Sequence, residues 1–303
     1  MTAVTPAAYV VTDAEPQTDD WFKARRDGIT GTDIPKILGM SKRGTALHVY
    51  YDKLGELPAE PESRYALWER RLEDPIARGW AEDHATSVSP VGILAHVEEP
   101  WMRASLDRLV DACPDGDGPC GLEVKNRSAF VRDGWADDRV PDDVLAQVVW
   151  GAVVAGFRHM HVAGLFGGNE PVYARVDLDP DDIEWVTAAA REVWERVEQQ
   201  VPPTVDPAPL LVRLLNQRTP DREGDREVTF TEAEDWTARY RLGRALEKRG
   251  KAVRESAHAR LVVAMGTGDR LRTADGETVA TYYASTRGVR TLRLTGDYDR
   301  STA

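Results

Sequence analysis

Cysteine is scarce in this sequence, with two in 303 residues. That scarcity excludes a disulfide-dense scaffold and a four-cysteine zinc or iron–sulfur site. Long apolar runs are absent too. No stretch approaches the roughly 18 residues that a membrane-spanning helix needs, which excludes an integral membrane protein. The first twenty residues lack a basic start, a compact apolar run and a cleavage-like site, so no secretory signal is expected and a reducing cytoplasm is the expected compartment. Positive charge is in deficit: 39 Lys and Arg stand against 51 Asp and Glu, a net of −12, which argues against nonspecific coating of nucleic acid. Internal repeats and low-complexity tracts are also missing.

What is present is an ordinary globular composition, 42% hydrophobic with nine Trp, enough for a real core. The length is twice the usual prior of about 150 residues per domain, so one large domain or two both fit. The charge is unevenly spread. Between Arg239 and Arg260 stand Arg239, Arg241, Arg244, Lys248, Arg249, Lys251, Arg254 and Arg260, against Glu247 and Glu255 alone. Such a segment reads either as a confined basic surface or as a solvated helix face.

Along the chain, residues 1–18 read as a loose, flexible tail. A helical pattern starts near Trp21 and breaks at Gly28-Ile29-Thr30-Gly31-Thr32-Asp33, after which Thr32 or Asp33 can cap a short helix over Ile34–Leu38. Leu67, Leu72, Ile76 and Trp80 predict one long helix over Leu67–His84, with Pro75 in a first turn or at a kink. Strands are expected at Ile93–Val97, Met102–Val110 and Gly121–Asn126, the last two joined by the turn-rich segment Cys113 to Cys120. A helix follows over Asp142–Ala155, then a hairpin of His161–Phe166 and Val172–Val176, then a helix from Pro180 to about Gln200. Pro202, Pro203, Pro207 and Pro209 mark the clearest boundary. Beyond it lie a long helix from Thr231 to about Ala264 and strands Arg270–Thr273, Thr278–Ala284 and Val289–Leu294, with Asp275-Gly276 as a hairpin turn. The domain division is therefore a tail (1–18), a core (19–205) and a helix-plus-hairpin extension (206–303).

Four segments carry the chemistry: Glu73 on a helix, Asp107 in Ser105-Leu106-Asp107-Arg108, Leu122-Glu123-Val124-Lys125, and Gln147 on the next helix. Side chains alternate along a strand, so Glu123 and Lys125 share one face and Val124 the other. The hairpin can bring Asp107 beside Glu123, giving two carboxylates and the Val124 carbonyl as oxygen ligands for a hard divalent cation, with Glu73 completing that site or helping hold a second ion. Lys125 would reach the attacking water or scissile phosphate, positioning water and stabilising charge, with general-base action second. Such a site accounts for phosphodiester hydrolysis without a Cys, Ser or His nucleophile.

In this order the segments resemble the YqaJ-like viral recombinase family, to which phage lambda exonuclease is related, within the PD-(D/E)XK nuclease superfamily. Trp21 to Asp33 is similar to that family's N-terminal block, Leu72-Glu73 to its helix glutamate, Ser105-Leu106-Asp107 and Leu122 to Lys125 to its metal-site strands, and Gln147 to its helix glutamine. The resemblance covers about residues 20–205. Thr30 and Thr32 stand where many members have Gly and Ser, and the Asp107–Glu123 separation is slightly long. The resemblance implies an α/β PD-(D/E)XK core, with a central mixed sheet flanked by helices and a C-terminal helix-and-hairpin extension. It implies a Mg²⁺-dependent exonuclease, Mn²⁺ able to substitute, that degrades one strand of linear duplex DNA from its 5′ end. The product would be a 3′ single strand for phage-type recombination. It also implies a single-strand annealing partner, a trimeric ring threaded by DNA, and a host cytoplasm if the chain is phage-encoded.

By the same resemblance Arg25, Thr32 and Ser105 belong to a pocket for a DNA 5′ phosphate. An Arg fork suits phosphate, and a hydroxyl at a helix start adds a donor. Arg26, Arg127 and Arg132 are weaker DNA-contact candidates, equally readable as surface salt bridges. Cys113 and Cys120 are expected as free thiols, and His159 and His161 as locally packed or solvated rather than a metal pair. Trp68, Trp80, Trp150, Trp185 and Trp194 are expected in the core, while Trp101 and Trp135 are candidates for stacking on a base. Two other readings remain: a metal-dependent endonuclease of the same superfamily for repair or processing, and a non-catalytic DNA-end-binding scaffold for recombination.

Overall fold

The computed structural model describes residues 4–57, 62–135, 139–204, 214, 233–284 and 290–295. These fall into two compact units, Met1–Arg222 and Glu223–Ala303. The first is built on a mixed sheet of β2 (Val88–Ser89), β5 (Arg108–Val110), β6 (Cys120–Arg127), β7 (His159–Phe166) and β8 (Glu170–Asp177), in that spatial order. β6 and β7 run parallel and the other neighbours antiparallel. A parallel pair needs a crossover, and α5 (Asp142–Ala155) supplies it. β1 (Ala8–Thr12), β3 (Ile93–His96) and β4 (Arg103–Ala104) form a second, antiparallel sheet.

Helices cover both faces of the mixed sheet. α5 is apolar nearly all round because it is buried nearly all round, and it packs with Met160, Val162 and Phe166 of β7 and with Val186, Ala190 and Val193 of α6 (Pro180–Gln199). It stops at Gly156, whose φ of 75° is the left-handed cap that glycine accommodates. α4 (Arg64–Asp83) is amphipathic and buries Ala77, Trp80 and Ala81 against Cys120, Leu122, Val124 and Ala163 on the opposite face. The described residues of this unit also form the short helices α1 (Asp19–Arg26), α2 (Ile34–Ile37) and α3 (Ala46–Lys53) and a 3-10 helix over Ala129–Trp135. α1 starts where the Thr18 hydroxyl accepts the Trp21 N–H, with Asp19 and Asp20 in the first turn and Lys23, Arg25 and Arg26 in the last, matching the helix dipole. The second unit holds α7 (Ala233–Met265) and an antiparallel sheet of β9 (Arg270–Arg272), β10 (Thr278–Ala284) and β11 (Arg290–Leu294).

Several expectations are corrected. The tail carries β1, whose residues pair with β3 from Ala8 opposite His96 to Thr12 opposite Ile93. The expected strand Met102–Val110 is two strands in two sheets, β4 and β5, with the chain bending at Ser105 to Asp107 so that each half finds its own partner. α3 was not anticipated, although Thr45 and His48 form a capping box at its start. Of the two positions expected for Pro75, the first turn is excluded, since Pro75 lies in the interior of α4. Trp68 and Trp185 are 47% and 49% exposed, and Trp135 is buried against Phe166, so the first two leave the expected core and the third is no base-stacking platform. The expected 205/206 boundary lies outside the described residues.

Gly28 joins the N-terminal block to the second sheet. The Ile29 N–H donates to the Trp101 carbonyl at 2.8 Å, the Arg103 N–H to the Ile29 carbonyl at 2.9 Å, and a Cβ on Gly28 would lie 2.2 Å from the Trp101 oxygen. Gly28→Ala is therefore expected to force the two segments apart and to cost about 1–3 kcal/mol. Thermal unfolding checks this, since about 1 kcal/mol lowers Tm by roughly 2–4 °C in a chain of this size. An unchanged Tm would show that the close approach is dispensable.

Candidate active site

β6 is hydrogen-bonded on both sides, and its alternation sends Leu122 and Val124 into the α4 face. Glu123 and Lys125 point the other way, toward α5, and are 3% and 8% exposed. The β5–β6 register pairs Arg108 with Leu122, which extended by one residue sets Asp107 opposite Glu123. Asp107 Oδ2 accepts the Val124 N–H at 2.7 Å. Lys125 Nζ forms a very short ion pair with Glu123 Oε1 and donates to Gln147 Oε1 at 3.3 Å. Gln147 Nε2 donates to the same Glu123 oxygen at 2.6 Å. Glu123, Lys125, Gln147 and Asp107 thus meet as the sequence predicts, although Asp107 lies just before β5 rather than within a strand.

The electrostatics are those of a site short of positive charge. Burial pushes the Asp107 carboxyl well above its ordinary range, and the facing Glu123 adds to this; Lys125 only partly offsets it. Burial alone would lower the Lys125 ammonium, but Glu123 and Asp107 outweigh it and raise its pKa, so Lys125 stays charged.

The same cavity, of about 710 Å³, is also lined by Arg25, Thr32 and Ser105. Arg25 donates through Nη2 to Thr32 Oγ1 at 2.5 Å and Thr30 Oγ1 at 3.1 Å, and through Nη1 to Ser105 Oγ at 3.4 Å. Its guanidinium lies 4.6 Å over the Trp21 ring, one turn back on α1. Partial burial lowers its pKa, opposed by Asp33 and Asp52, yet an arginine stays protonated. The sequence reading missed the frame behind this pocket. Buried Asp33 accepts from the Thr30 N–H at 2.9 Å and hydroxyl at 2.8 Å, and pairs with Lys53 Nζ at 2.7 Å; Lys53 also donates to the Arg25 carbonyl at 2.9 Å. Burial works against ionisation of Asp33, but Lys53, Lys36 and Arg25 hold its carboxyl well below the usual range. A polar residue three positions after Thr30 was the local signal; Lys53, twenty residues further, gave none.

The other candidates are distributed as follows. Glu73 lines the cavity, but Arg108 holds its carboxylate in a short ion pair, with Asp74 3.3 Å from the same guanidinium. Arg26, Arg127 and Arg132 do not line the cavity. They pair with Asp52 at 4.0 Å, Glu69 at 2.6 Å and Glu170 at 3.0 Å, the surface-salt-bridge alternative. Trp101 stacks on Trp194, with centroids 6.3 Å apart, and under Arg191. The eight basic residues of 239–260 are exposed on α7. At about 100° per residue they spread round that helix rather than forming one stripe, as a solvated helix would. Cys113 and Cys120 are free thiols. Burial keeps both His159 and His161 neutral, the latter pulled down to about 4.

The central mixed sheet flanked by helices thus carries Asp107 and Glu123-x-Lys125 at its β5–β6 hairpin. Residues 20–158 match the model of the YqaJ-like viral recombinase domain. YqaJ of Bacillus subtilis (strain 168), itself uncharacterized, is 29% identical over 232 residues, which span 75% of this chain and 71% of that protein. Among solved structures, the alkaline exonuclease LHK-Exo from Laribacter hongkongensis aligns with a TM-score of 0.51 at 15% identity, covering 61% of this chain and 94% of that one. LHK-Exo in complex with dAMP aligns with a TM-score of 0.50 at the same identity and coverage.

The raised pKa of Asp107 makes a prediction about stability. A carboxyl whose folded pKa lies above its unfolded value near 3.9 stabilises the fold only while protonated, and that contribution is lost as pH rises through the folded pKa. Asp107→Asn keeps an acceptor for the Val124 N–H and removes the charge. At neutral pH, with divalent metal removed, this variant should melt at least about 2–4 °C above the parent, the equivalent of about 1 kcal/mol. Below about pH 4 the gap should close. A lower Tm for the variant at neutral pH would contradict the charge crowding described above.

Proposed function

We propose that this chain is a divalent-metal-dependent DNA exonuclease that degrades one strand of linear duplex from its 5′ end and leaves a 3′ single strand for homologous recombination. The observation that carries the reading is that one cavity holds both the Asp107, Glu123, Lys125 and Gln147 cluster and the Arg25, Thr32 and Ser105 pocket. The match of residues 20–158 to the YqaJ-like viral recombinase domain and the fold shared with an alkaline exonuclease support it.

The donors suit a hard divalent cation. Two carboxylates face one another in a buried hairpin, where burial and then Glu123 raise the Asp107 carboxyl and Lys125 only partly offsets them. Asp107, Glu123 and the Val124 carbonyl would hold Mg²⁺, or Mn²⁺ in its place, with Glu73 at the cavity wall. Such an ion, when bound, supplies a more acidic water and neutralises charge on the leaving oxygen. Lys125 keeps its proton on Nζ, orients the attacking water and attracts the charge that develops on the scissile phosphate. Gln147 bridges Glu123 and Lys125 and so fixes both side chains relative to α5. Arg25, with the Thr32 and Ser105 hydroxyls, receives the terminal phosphate and sets how far the strand enters. A trimeric ring threaded by DNA and a single-strand annealing partner belong to the same proposal on family grounds.

A 5′ phosphate carries more charge than an internal diester, so the Arg25 contact distinguishes ends from interior. Arg25→Ala should slow digestion of 5′-phosphorylated duplex by roughly ten- to hundred-fold, the loss of about 1.5–3 kcal/mol expected for a charged hydrogen bond. Digestion of 5′-hydroxyl duplex should change little. Rates that fall equally on both substrates would remove Arg25 from end recognition and favour an endonuclease.

A further inference from the structure

On the other face of the sheet, four metal-ligating side chains converge where the β5–β6 loop meets β7. Cys113, Cys120, His159 and His161 each offer one donor atom, and all four atoms lie within 4.8 Å of one another. Both imidazoles face Cys113 Sγ through Nε2, at 3.2 Å for His159 and 4.0 Å for His161. Tetrahedral zinc, with Zn–S of about 2.3 Å and Zn–N of about 2.0–2.1 Å, places N and S ligands about 3.6 Å apart. The two separations bracket that value. Cys120, His159 and His161 are buried and Cys113 is half-buried.

The backbone explains the convergence. Gly121 pairs with Met160 and Leu122 with His161 in the parallel register, so Cys120, His159 and His161 share the face that carries Leu122 and Val124 toward α4. Gly116 and Gly118, at φ 72° and 101°, let the connecting loop turn, and Cys113 on that loop meets the histidines. Glu123 and Lys125 lie on the opposite face, so these ligands are separate from the carboxylate site.

We propose that Cys113, Cys120, His159 and His161 form a structural Zn²⁺ site that ties the β5–β6 loop to β7. Two sulfur and two nitrogen ligands of tetrahedral disposition are the donor set zinc takes, and four protein ligands leave no open position for a reacting water. Binding releases the two thiol protons to solvent and transfers no electron. Two thiolates then neutralise the ion, and the neutral complex suits its buried position. The clamp sits at the loop end of the hairpin whose other end sets Asp107 opposite Glu123, so it would hold that register.

The test uses the full chain purified under reducing conditions from zinc-supplemented growth. Elemental analysis should find about one zinc per chain, retained in Asp107→Asn and lost in Cys113→Ser, which alters a loop residue and whose folding circular dichroism checks. Independently of any variant, zinc-stripped parent protein titrated with Co²⁺ should develop thiolate-to-cobalt charge-transfer and tetrahedral ligand-field bands. Chelation should lower the Tm of the parent and not that of Cys113→Ser. Absence of stoichiometric zinc together with absence of the cobalt bands would overturn the proposal. So would iron in place of zinc, or a Cys113–Cys120 disulfide found by mass spectrometry in the reduced preparation. Because Asp107→Asn disables the carboxylate site alone, zinc retention in it separates this inference from the proposed nuclease activity.

Discussion

Two carboxylates facing each other inside a folded hairpin repel unless positive charge is brought to them, and much of this molecule is arranged around that repulsion. Glu123 stands on a central strand with neighbours on both sides, so it cannot swing into solvent without breaking the sheet. Asp107 is anchored by the Val124 N–H beside it. Lys125 comes from the same strand by alternation, and Gln147 comes from the buried crossover helix that the parallel β6–β7 pair requires. One ammonium stands against two carboxylates, and burial and the facing Glu123 raise the Asp107 carboxyl above its ordinary range. Under the proposed function a divalent cation would supply the balancing charge.

The Arg25 pocket is coupled to that cluster through the same helix. Gly31 lies so close to α5 that a Cβ there would sit 3.1 Å from Gln147 Cγ. The N-terminal block that presents Arg25 and Thr32 thus packs directly on the residue that bridges Glu123 and Lys125. Behind it, Asp33 and Lys53 are buried and paired, which fixes the Thr30 hydroxyl and the Arg25 backbone at once. Removing one partner of such a pair would strand the other charge in the interior. The Arg25 pocket and the carboxylate cluster consequently share one wall of the cavity.

How much of this could be read from the sequence follows from the range of the interactions. The Glu123/Lys125 against Val124 alternation, the α5 and α6 boundaries and the Asp275-Gly276 hairpin are local patterns, and the structure carries them. The resemblance brought Arg25, Thr32 and Ser105 together correctly, although Ser105 is 80 residues from Arg25. What was lost depends on partners distant in sequence. β1 becomes a strand only because β3 offers an edge, and Met102–Val110 splits because its halves belong to different sheets. Glu73 reads as a metal ligand from its place on a helix, whereas Arg108, 35 residues on, pairs with its carboxylate in the structure.

The most direct measurement is digestion of a linear duplex labelled at either its 5′ or its 3′ termini, run beside a covalently closed circle, with and without Mg²⁺. A buried carboxylate site fed through an end pocket predicts early release of 5′ label as mononucleotide, late release of 3′ label, an untouched circle and no reaction without the metal. Linearisation of the circle, or early release of 3′ label, would contradict a 5′-end exonuclease built on Asp107, Glu123 and Lys125.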